Sequence, residues 1–198
     1  MKTKHLFLIA FSALLLFFQG SCDKEDTEPF YLSCKINGEK WEALKYVLFS
    51  DEPVLAARAY YDPDSAWLQI GGSRSVKTPS KPDSYMRGDM SINIIDFDGE
   101  GNYKLENYPL SGSGFYFWRY HSWARMKIRY EDPFPAGTYN ASTTDEYTGV
   151  CTITKFDTTN QIIEGKFHFD ALHRDYDVVA NVTAGKFRLE YEIKEIDN

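Results

Sequence analysis

The chain has 198 residues, with 29 acidic against 22 basic side chains and a formal net charge of −7. This charge argues against nucleic-acid binding, because phosphate contacts need clustered Lys and Arg. Aromatic residues make up 16% of the chain, which favours strands over helices, and the length suits a single domain.

Residues 1–21 have the organisation of a secretory signal. Lys2 and Lys4 precede the apolar run "LFLIAFSALLLFF" at 6–18, which is shorter than the roughly 20 residues of a membrane-spanning helix. Small residues then stand directly before Cys22. The alternative is an ordinary signal followed by a cysteine at this position by chance.

The stretch "FQGSC" at 18–22 resembles the lipobox of bacterial lipoproteins. In that family the signal is cut off before the cysteine, whose thiol receives a diacylglycerol and whose new amine is usually acylated. The resemblance implies a lipid on Cys22 as the membrane contact, and an outer-membrane location. Each buried CH₂ adds about 0.8 kcal/mol to membrane binding, so several acyl chains anchor a protein firmly where one chain anchors it marginally.

Residues 22–29, "CDKEDTEP", are polar and have no apolar period, so we expect a solvated tether before a single domain at 30–198. The run Lys24-Glu25-Asp26 resembles the short export tag of surface lipoproteins in Bacteroides-type bacteria, which implies a place on the cell surface. A plain charged linker is the alternative. An aspartate after the cysteine marks inner-membrane retention in some other bacteria, so the periplasmic face of the envelope stays open.

Alternation of apolar and polar residues begins with "FYLSCKI" at 30–36. It puts Phe30, Leu32, Cys34 and Ile36 on one face of a strand. The following Asn37-Gly38 is a strong hairpin signal, because both residues tolerate positive φ. Further inward positions and strands are expected at Trp41 and Ala43, in "AWLQIGG" at 66–72 and in "MSINIIDF" at 90–97.

The stretch "DFDGEGN" at 96–102 places Asp96, Asp98 and Glu100 at alternate positions. This resembles the first half of a calcium loop, in which hard oxygen ligands alternate. The twelfth position is Asn107, which cannot supply a bidentate carboxylate. We therefore expect an acidic hairpin turn and predict no metal site.

The segment "FYFWRYHSWARMKIRY" at 115–130 has the most unusual composition. Strand parity puts a basic, partly aromatic stripe on one face, formed by Arg119, His121, Trp123 and Arg125. An exposed ring beside cations suits sugars or acidic groups, through stacking and charge-assisted hydrogen bonds. The alternative is a solvated face whose cations pair with acidic neighbours such as Glu190 and Glu192, and a turn at His121-Ser122 would break the parity.

The last third of the chain alternates most clearly, in 150–156, 165–171 and 185–193, with the turn "DTTN" after the first of these. The inward positions are Phe167, Phe169, Ala171, Phe187, Leu189, Tyr191 and Ile193. One apolar and one polar face per strand predicts antiparallel sheets. We expect an all-β antiparallel β-sandwich of about ten strands, with a closed meander β-barrel of the lipocalin type as the alternative. Long loops are expected at 75–87 and 131–147.

Two cysteines remain besides Cys22. Cys34 and Cys151 both fall on apolar faces, and an exported domain meets oxidising conditions, so they form a candidate disulfide. Two separate buried thiols are the alternative. Two thiols without matching histidines do not supply a zinc site.

Four stretches, "CKINGEKWEA" at 34–43, "GEGNYKL" at 99–105, "TITKFDTTNQIIEGKFHFDA" at 152–171 and "TAGKFRL" at 183–189, resemble a family of small Bacteroides-type exported lipoproteins of unknown function. The late block, a hairpin followed by a Gly-x-Phe-x-Phe strand, is the most specific. The resemblance implies an all-β exported domain over nearly all of the chain that follows Cys22. It implies no active site.

Two three-residue stretches, beginning at Asp64 and Asp157, resemble O-glycosylation sites of exported Bacteroides-type proteins. Ser65 and Thr158 would be the modified residues. Chance occurrence is the alternative for such short patterns.

Motifs of nucleophilic, metal-dependent or phosphate-binding enzymes are missing from the sequence. His168 is expected on an exposed strand face and His173 in a turn. We therefore expect a non-catalytic binding or accessory lipoprotein that needs no cofactor and contacts a glycan or an envelope protein. A lipoprotein docking on another envelope protein without a small ligand is the alternative, and a glycan-processing enzyme comes third.

Overall fold

A computed structural model describes residues 28–46, 53–74, 87–107, 121–130, 137–173 and 177–194. These residues form strands and turns, and none of them belongs to a helix that could cross a membrane. The strands are β1 Tyr31–Ile36, β2 Glu39–Glu42, β3 Leu44–Tyr46, β4 Pro53–Leu55, β5 Ala57–Asp62, β6 Trp67–Arg74, β7 Arg87–Ile94, β8 Gly101–Leu105, β9 Trp123–Tyr130, β10 Gly137–Ser142, β11 Gly149–Asp157, β12 Ile162–His173 and β13 Val178–Ile193. The all-β class predicted from the alternation is confirmed.

Eleven of these strands form one sheet in the order β2-β1-β13-β5-β6-β7-β9-β10-β12-β11-β8, while β3 and β4 pair separately. β12 also pairs with β13. The seven consecutive strands β13-β5-β6-β7-β9-β10-β12 therefore close into a ring. One seam is a single pair, Ser142 with Leu172, and the other is a short parallel pairing of β5 with β13. These weak seams divide the ring into two layers, so the fold has both sandwich-like and barrel-like features.

The hydrophobic core lies inside this ring. The inward positions expected in β12 and β13 are buried, namely Phe167, Phe169, Ala171, Phe187, Leu189 and Tyr191. Trp41 and Ala43 are buried as expected, and Asn37 and Gly38 turn with φ of 51° and 89°. Ile193 was expected inward but is 52% exposed, because β13 ends there, paired only with the end of β5.

Glycines and phenylalanines face each other across the central strands. Gly165 pairs with Phe187 and Gly185 with Phe167 across β12 and β13. A Cβ atom at Gly165 would lie 2.5 Å from the Phe187 ring, and one at Gly185 would lie 2.5 Å from the Phe167 ring. Each ring therefore lies over the glycine opposite and fills the space that a side chain would occupy.

Five aromatic side chains pack together at the end of the strand ring where β13 finishes. Tyr61 and Phe97 lie 5.5 Å apart between ring centroids, Phe97 and Phe156 4.9 Å, Phe156 and Tyr191 5.1 Å, and Phe97 and Tyr103 5.6 Å. Most of these contacts are edge-to-face or offset, the geometries that aromatic pairs prefer. The aromatic cluster closes this end of the core.

The predicted disulfide between Cys34 and Cys151 is wrong, since both are free and buried thiols. Two strands separate them: Cys151 pairs with Phe167, and Phe167 pairs with Gly185 on β13, the neighbour of β1. Three strand spacings amount to about 14 Å along the sheet, and a disulfide needs Cα atoms within about 7 Å. Burial raises the pKa of each thiol to about 12.

One of the two loops predicted from Pro, Ser and Thr content contains a strand. Residues 137–142 form β10, which pairs with β9, so the loop expected at 131–147 is interrupted. Turn-rich composition did not prevent strand formation, because β9 offers an edge for pairing. The other loop lies at 75–86, outside the described residues, with Arg87 beginning β7.

Candidate functional site

The structure does not support Trp123 as an exposed ring for ligand stacking. Trp123 is only 4% exposed, although His121 and Arg125 beside it are exposed. Strand parity itself holds in β9, because Ala124 and Met126 point into the core. Trp123 therefore lies on the outer face and is covered there, while Arg119 lies outside the described residues.

The outer face around Trp123 is polar and internally hydrogen-bonded. Its cross-strand neighbour Asn93 is 2% exposed and donates to the Ser91 hydroxyl at 2.9 Å. The Gln69 side-chain amide donates to Oδ1 of the Asn93 side chain at 3.3 Å. Since β9 pairs with β7 and β10, the acidic neighbours that we expected from β13, Glu190 and Glu192, are not next to it.

The histidines of the described residues divide between surface and interior. His121 lies 3.6 Å from the carboxylate of Glu106, an exposed contact that contributes little. His168 is exposed, as predicted. The prediction that His173 itself lies in a turn is wrong, because β12 continues to this residue, pairs it with Val178 and leaves it 4% exposed.

The hairpin turn expected at 96–102 is wrong, because β7 and β8, the strands before and after this stretch, pair with other strands and not with each other. The stretch is a connection between two separate parts of the sheet, and its last two residues already belong to β8. The Asp98 carboxylate accepts a hydrogen bond from the Tyr103 hydroxyl at 2.6 Å, and the Glu100 carboxylate accepts from the Phe156 N–H at 3.3 Å. Burial and the bond to Asp98 raise the pKa of Tyr103 to about 12. The Asp98 and Glu100 carboxylates thus make separate contacts, and no group of three potential metal ligands occurs within the described ranges.

Both predicted modification sites lie on exposed hairpin tips. Ser65 follows β5, and its hydroxyl donates to the Asp62 carboxylate at 2.5 Å. Thr158 lies in the β11–β12 turn, where Asp157 accepts from the Thr159 N–H at 3.0 Å. Both residues are exposed, and their glycosylation stays a prediction.

A gap in strand pairing along β13 was not foreseen. The pairing of β1 with β13 ends at the pair Tyr31–Arg188. The pairing of β5 with β13 begins further along, at the pair Ala59–Tyr191. The Tyr191 N–H donates to Gln161 beside β12, whereas the Lys194 N–H donates to Tyr61 of β5. N–H groups an odd number of residues apart point to opposite edges of a strand.

It follows that β5 pairs with the edge of β13 that faces away from β12. β1 pairs with the same edge of β13. A gap between β1 and β5 remains on this edge, and we call it the β13 notch. A cleft of about 360 Å³ opens there. Phe30 and Leu55 form its apolar walls, and Arg58, Glu190 and Glu192 are its charged lining residues.

Two of the large apolar side chains that remain exposed line this notch, Phe30 at 40% and Leu55 at 38%. Val54 at 46% and Ile193 at 52% are the other two among the described residues, and they directly precede Leu55 and follow Glu192 in the chain. Phe30 was expected in the core with Leu32, but β1 pairing begins only at Tyr31. No local pattern could have located the notch, because its walls come from β4, β5, β13 and the residue before β1.

Arg188 holds one wall of the notch in place. Strand parity puts Arg188 on the outer face, yet it is 1% exposed. Its guanidinium pairs with the Glu164 carboxylate, its Nε donates to the Glu28 carbonyl at 3.4 Å, and its Cζ lies 5.9 Å from the Phe30 ring centroid. Residues 28–30 are thereby fixed against β13.

The charges of the notch are mixed, with an acidic excess. Arg58 donates to the Tyr60 hydroxyl at 3.2 Å, and this bond, with the field of Tyr60 and of Glu192, raises the pKa of the guanidinium. Within the described part of the chain, neither Glu190 nor Glu192 has a cationic nitrogen within 4.0 Å. Two carboxylates thus face one guanidinium around apolar walls.

Comparisons with protein-family models, with curated proteins and with solved structures give no match for this chain.

Proposed function

We propose that the chain is a lipid-anchored lipoprotein of the outer membrane that acts as a non-catalytic accessory module and docks on another envelope protein through the β13 notch. The observation that carries this proposal is a cleft beside β13 whose lining includes two exposed large apolar side chains, Phe30 and Leu55. Exposed apolar groups that cluster in this way are typical of contact surfaces. The proposal includes no catalytic step and no cofactor.

The position of the notch suits a contact close to the anchor. Phe30, one of its walls, directly follows the tether at 22–29. Eight extended residues reach at most about 28 Å, so a lipid on Cys22 would hold the notch near the membrane surface. A protein in the same membrane would meet this side of the domain first.

Docking is preferred over glycan binding at the basic stripe, because that stripe has no exposed aromatic ring on which a sugar could stack. Trp123 is covered, and its neighbours on β7 and β6 already bond to each other. A small ligand in the notch is the second candidate, since a volume of about 360 Å³ lies within the range of small-molecule sites.

The lipid anchor is tested by metabolic labelling with an alkyne analogue of palmitate. We expect the full chain to be labelled and its Cys22→Ala variant to remain unlabelled. Equal labelling of both would contradict lipid attachment at Cys22. The variant should also lose its place in the membrane fraction.

Docking is tested by affinity purification of the tagged full chain from gently solubilised envelopes. We expect one envelope protein to be recovered in near-stoichiometric amount with the unchanged chain, and to be lost with Leu55→Asp. The matched control is His168→Asp, which puts the same charge on an exposed face elsewhere and should retain the partner. Recovery that is insensitive to Leu55→Asp would refute docking at the notch.

A further inference from the structure

We propose that the β13 notch binds an extended segment of the partner protein that carries apolar side chains together with two or more cationic ones. This inference rests on the proposed docking function and adds the chemistry of the partner. The apolar walls Phe30 and Leu55 and the carboxylates of Glu190 and Glu192 lie around the same cleft. A ligand that satisfies both must be apolar and basic.

The spacing of the carboxylates suits an extended segment. Glu190 and Glu192 are alternate residues of β13, so they project from the same face about 7 Å apart. Alternate residues of an extended peptide have the same spacing. Cations two positions apart can therefore face both carboxylates, while Arg58 remains engaged with Tyr60.

The binding surface is ordered before any partner arrives. The Phe30 wall is held by Arg188, which contacts its ring and the Glu28 carbonyl. Arg188 is itself paired with Glu164. A wall that is already fixed lowers the entropy cost of association, so a short segment can bind without reorganising the domain.

Charge argues against two other occupants. The chain has a formal net charge of −7, and anionic lipid headgroups attract basic surfaces rather than acidic ones. A second copy of the chain would meet the notch through a two-fold contact. Such a contact would bring Glu190 and Glu192 of one copy against the same carboxylates of the other.

The test measures binding of labelled peptides to the purified full chain by fluorescence polarisation. The probe is Lys-Leu-Lys-Phe-Lys, compared with Glu-Leu-Glu-Phe-Glu and Lys-Ser-Lys-Ser-Lys. We expect the first to bind at least tenfold tighter than either other peptide at low ionic strength. High salt should weaken it, because exposed charge pairs are screened.

Variants locate the binding. Glu190→Gln with Glu192→Gln should reduce affinity for the lysine–leucine probe about fivefold to tenfold, and Leu55→Ser about threefold, as expected for exposed charges and partly exposed apolar contacts. Glu146→Gln, at an exposed carboxylate in the β10–β11 connection, should leave the affinity unchanged. Circular dichroism melting curves check that every variant is folded.

Different failures have different meanings. Equal binding of the acidic and basic probes, or no effect of the Glu190 and Glu192 changes, would overturn the proposed partner chemistry. So would the absence of any probe binding. Docking at the notch would still stand if Leu55→Asp abolished partner recovery, and it would fall only if that recovery were unaffected. A concentration-dependent dimer lost in Leu55→Asp would overturn the inference in favour of a second copy.

Discussion

Replacement of Gly165 by alanine tests the packing of the core most sharply. A Cβ atom at this position would lie 2.3 Å from the Thr152 carbonyl oxygen and 2.5 Å from the Phe187 ring. The ring can rotate away only by disturbing the buried core around it. The carbonyl belongs to the backbone of β11, so it can move only if the pairing of β11 with β12 opens.

The expected cost of Gly165→Ala is about 3 kcal/mol, the upper part of the range for overpacked cores, because backbone and ring are both too close. For a domain of this size that corresponds to a melting temperature lower by roughly 6–12 °C. The assay is thermal unfolding followed by circular dichroism, with urea unfolding at constant temperature to give the free energy of unfolding.

Gly101→Ala is the matched control. Ile153 pairs with Gly165 on one side and with Gly101 on the other, so both glycines flank the same residue. A Cβ atom at Gly101 would have no neighbour closer than 3.9 Å, and the free energy of unfolding should change by less than about 0.5 kcal/mol. Equal effects of the two substitutions would refute the proposed stacking of Phe187 over Gly165.

Three further predictions follow from buried groups. Glu164→Gln should lower the free energy of unfolding by about 2 kcal/mol, because it removes the nearer carboxylate of the buried Arg188 guanidinium and leaves only that of Glu28 at 3.9 Å, and urea unfolding measures this. Cys34 and Cys151, whose pKa values are raised to about 12, should resist a thiol reagent at pH 8 in the folded state and both react after unfolding. The pKa of Tyr103 is raised to about 12 in the folded protein, so the protonated hydroxyl stabilises the fold below pH 10 and this stabilisation is lost as the pH rises from 10 to 12. Tyr103→Phe should therefore flatten the decline in melting temperature between pH 10 and pH 12.

Each of these three predictions has a control variant or a result that would contradict it. Glu42→Gln removes a carboxylate from an exposed pair with Lys40 and should cost less than about 0.5 kcal/mol, and a cost equal to that of Glu164→Gln would contradict the role of Arg188. Fast labelling of the folded protein would contradict the burial of both thiols. An unchanged alkaline decline in Tyr103→Phe would assign that decline to other groups.

The sequence predicted the faces of individual strands well, and the reason is local. Alternation identifies which side of its own strand a residue takes, so Phe167 and Phe169 were placed correctly in the core. The turn at Asn37-Gly38 was also local, since it depends on the positive φ that both residues adopt.

Features that depend on which strands become neighbours were not predictable. The notch arises from the parallel pairing of β5 with β13, and nothing within either segment indicates it. Strand parity places Arg188 on the outer face, yet it is covered there by residues about 160 positions earlier in the chain. Trp123 fell on the outer face as parity requires, but parity alone does not tell whether that face is covered.

Site-specific photo-crosslinking in intact cells tests the central claim, docking through the β13 notch, most directly. A benzophenone amino acid would replace Leu55 in the notch and, in a matched chain, His168 on an exposed face elsewhere. We predict one defined adduct with an envelope protein from the Leu55 position and none from the His168 position. Adducts from both positions, or from His168 alone, would contradict the account.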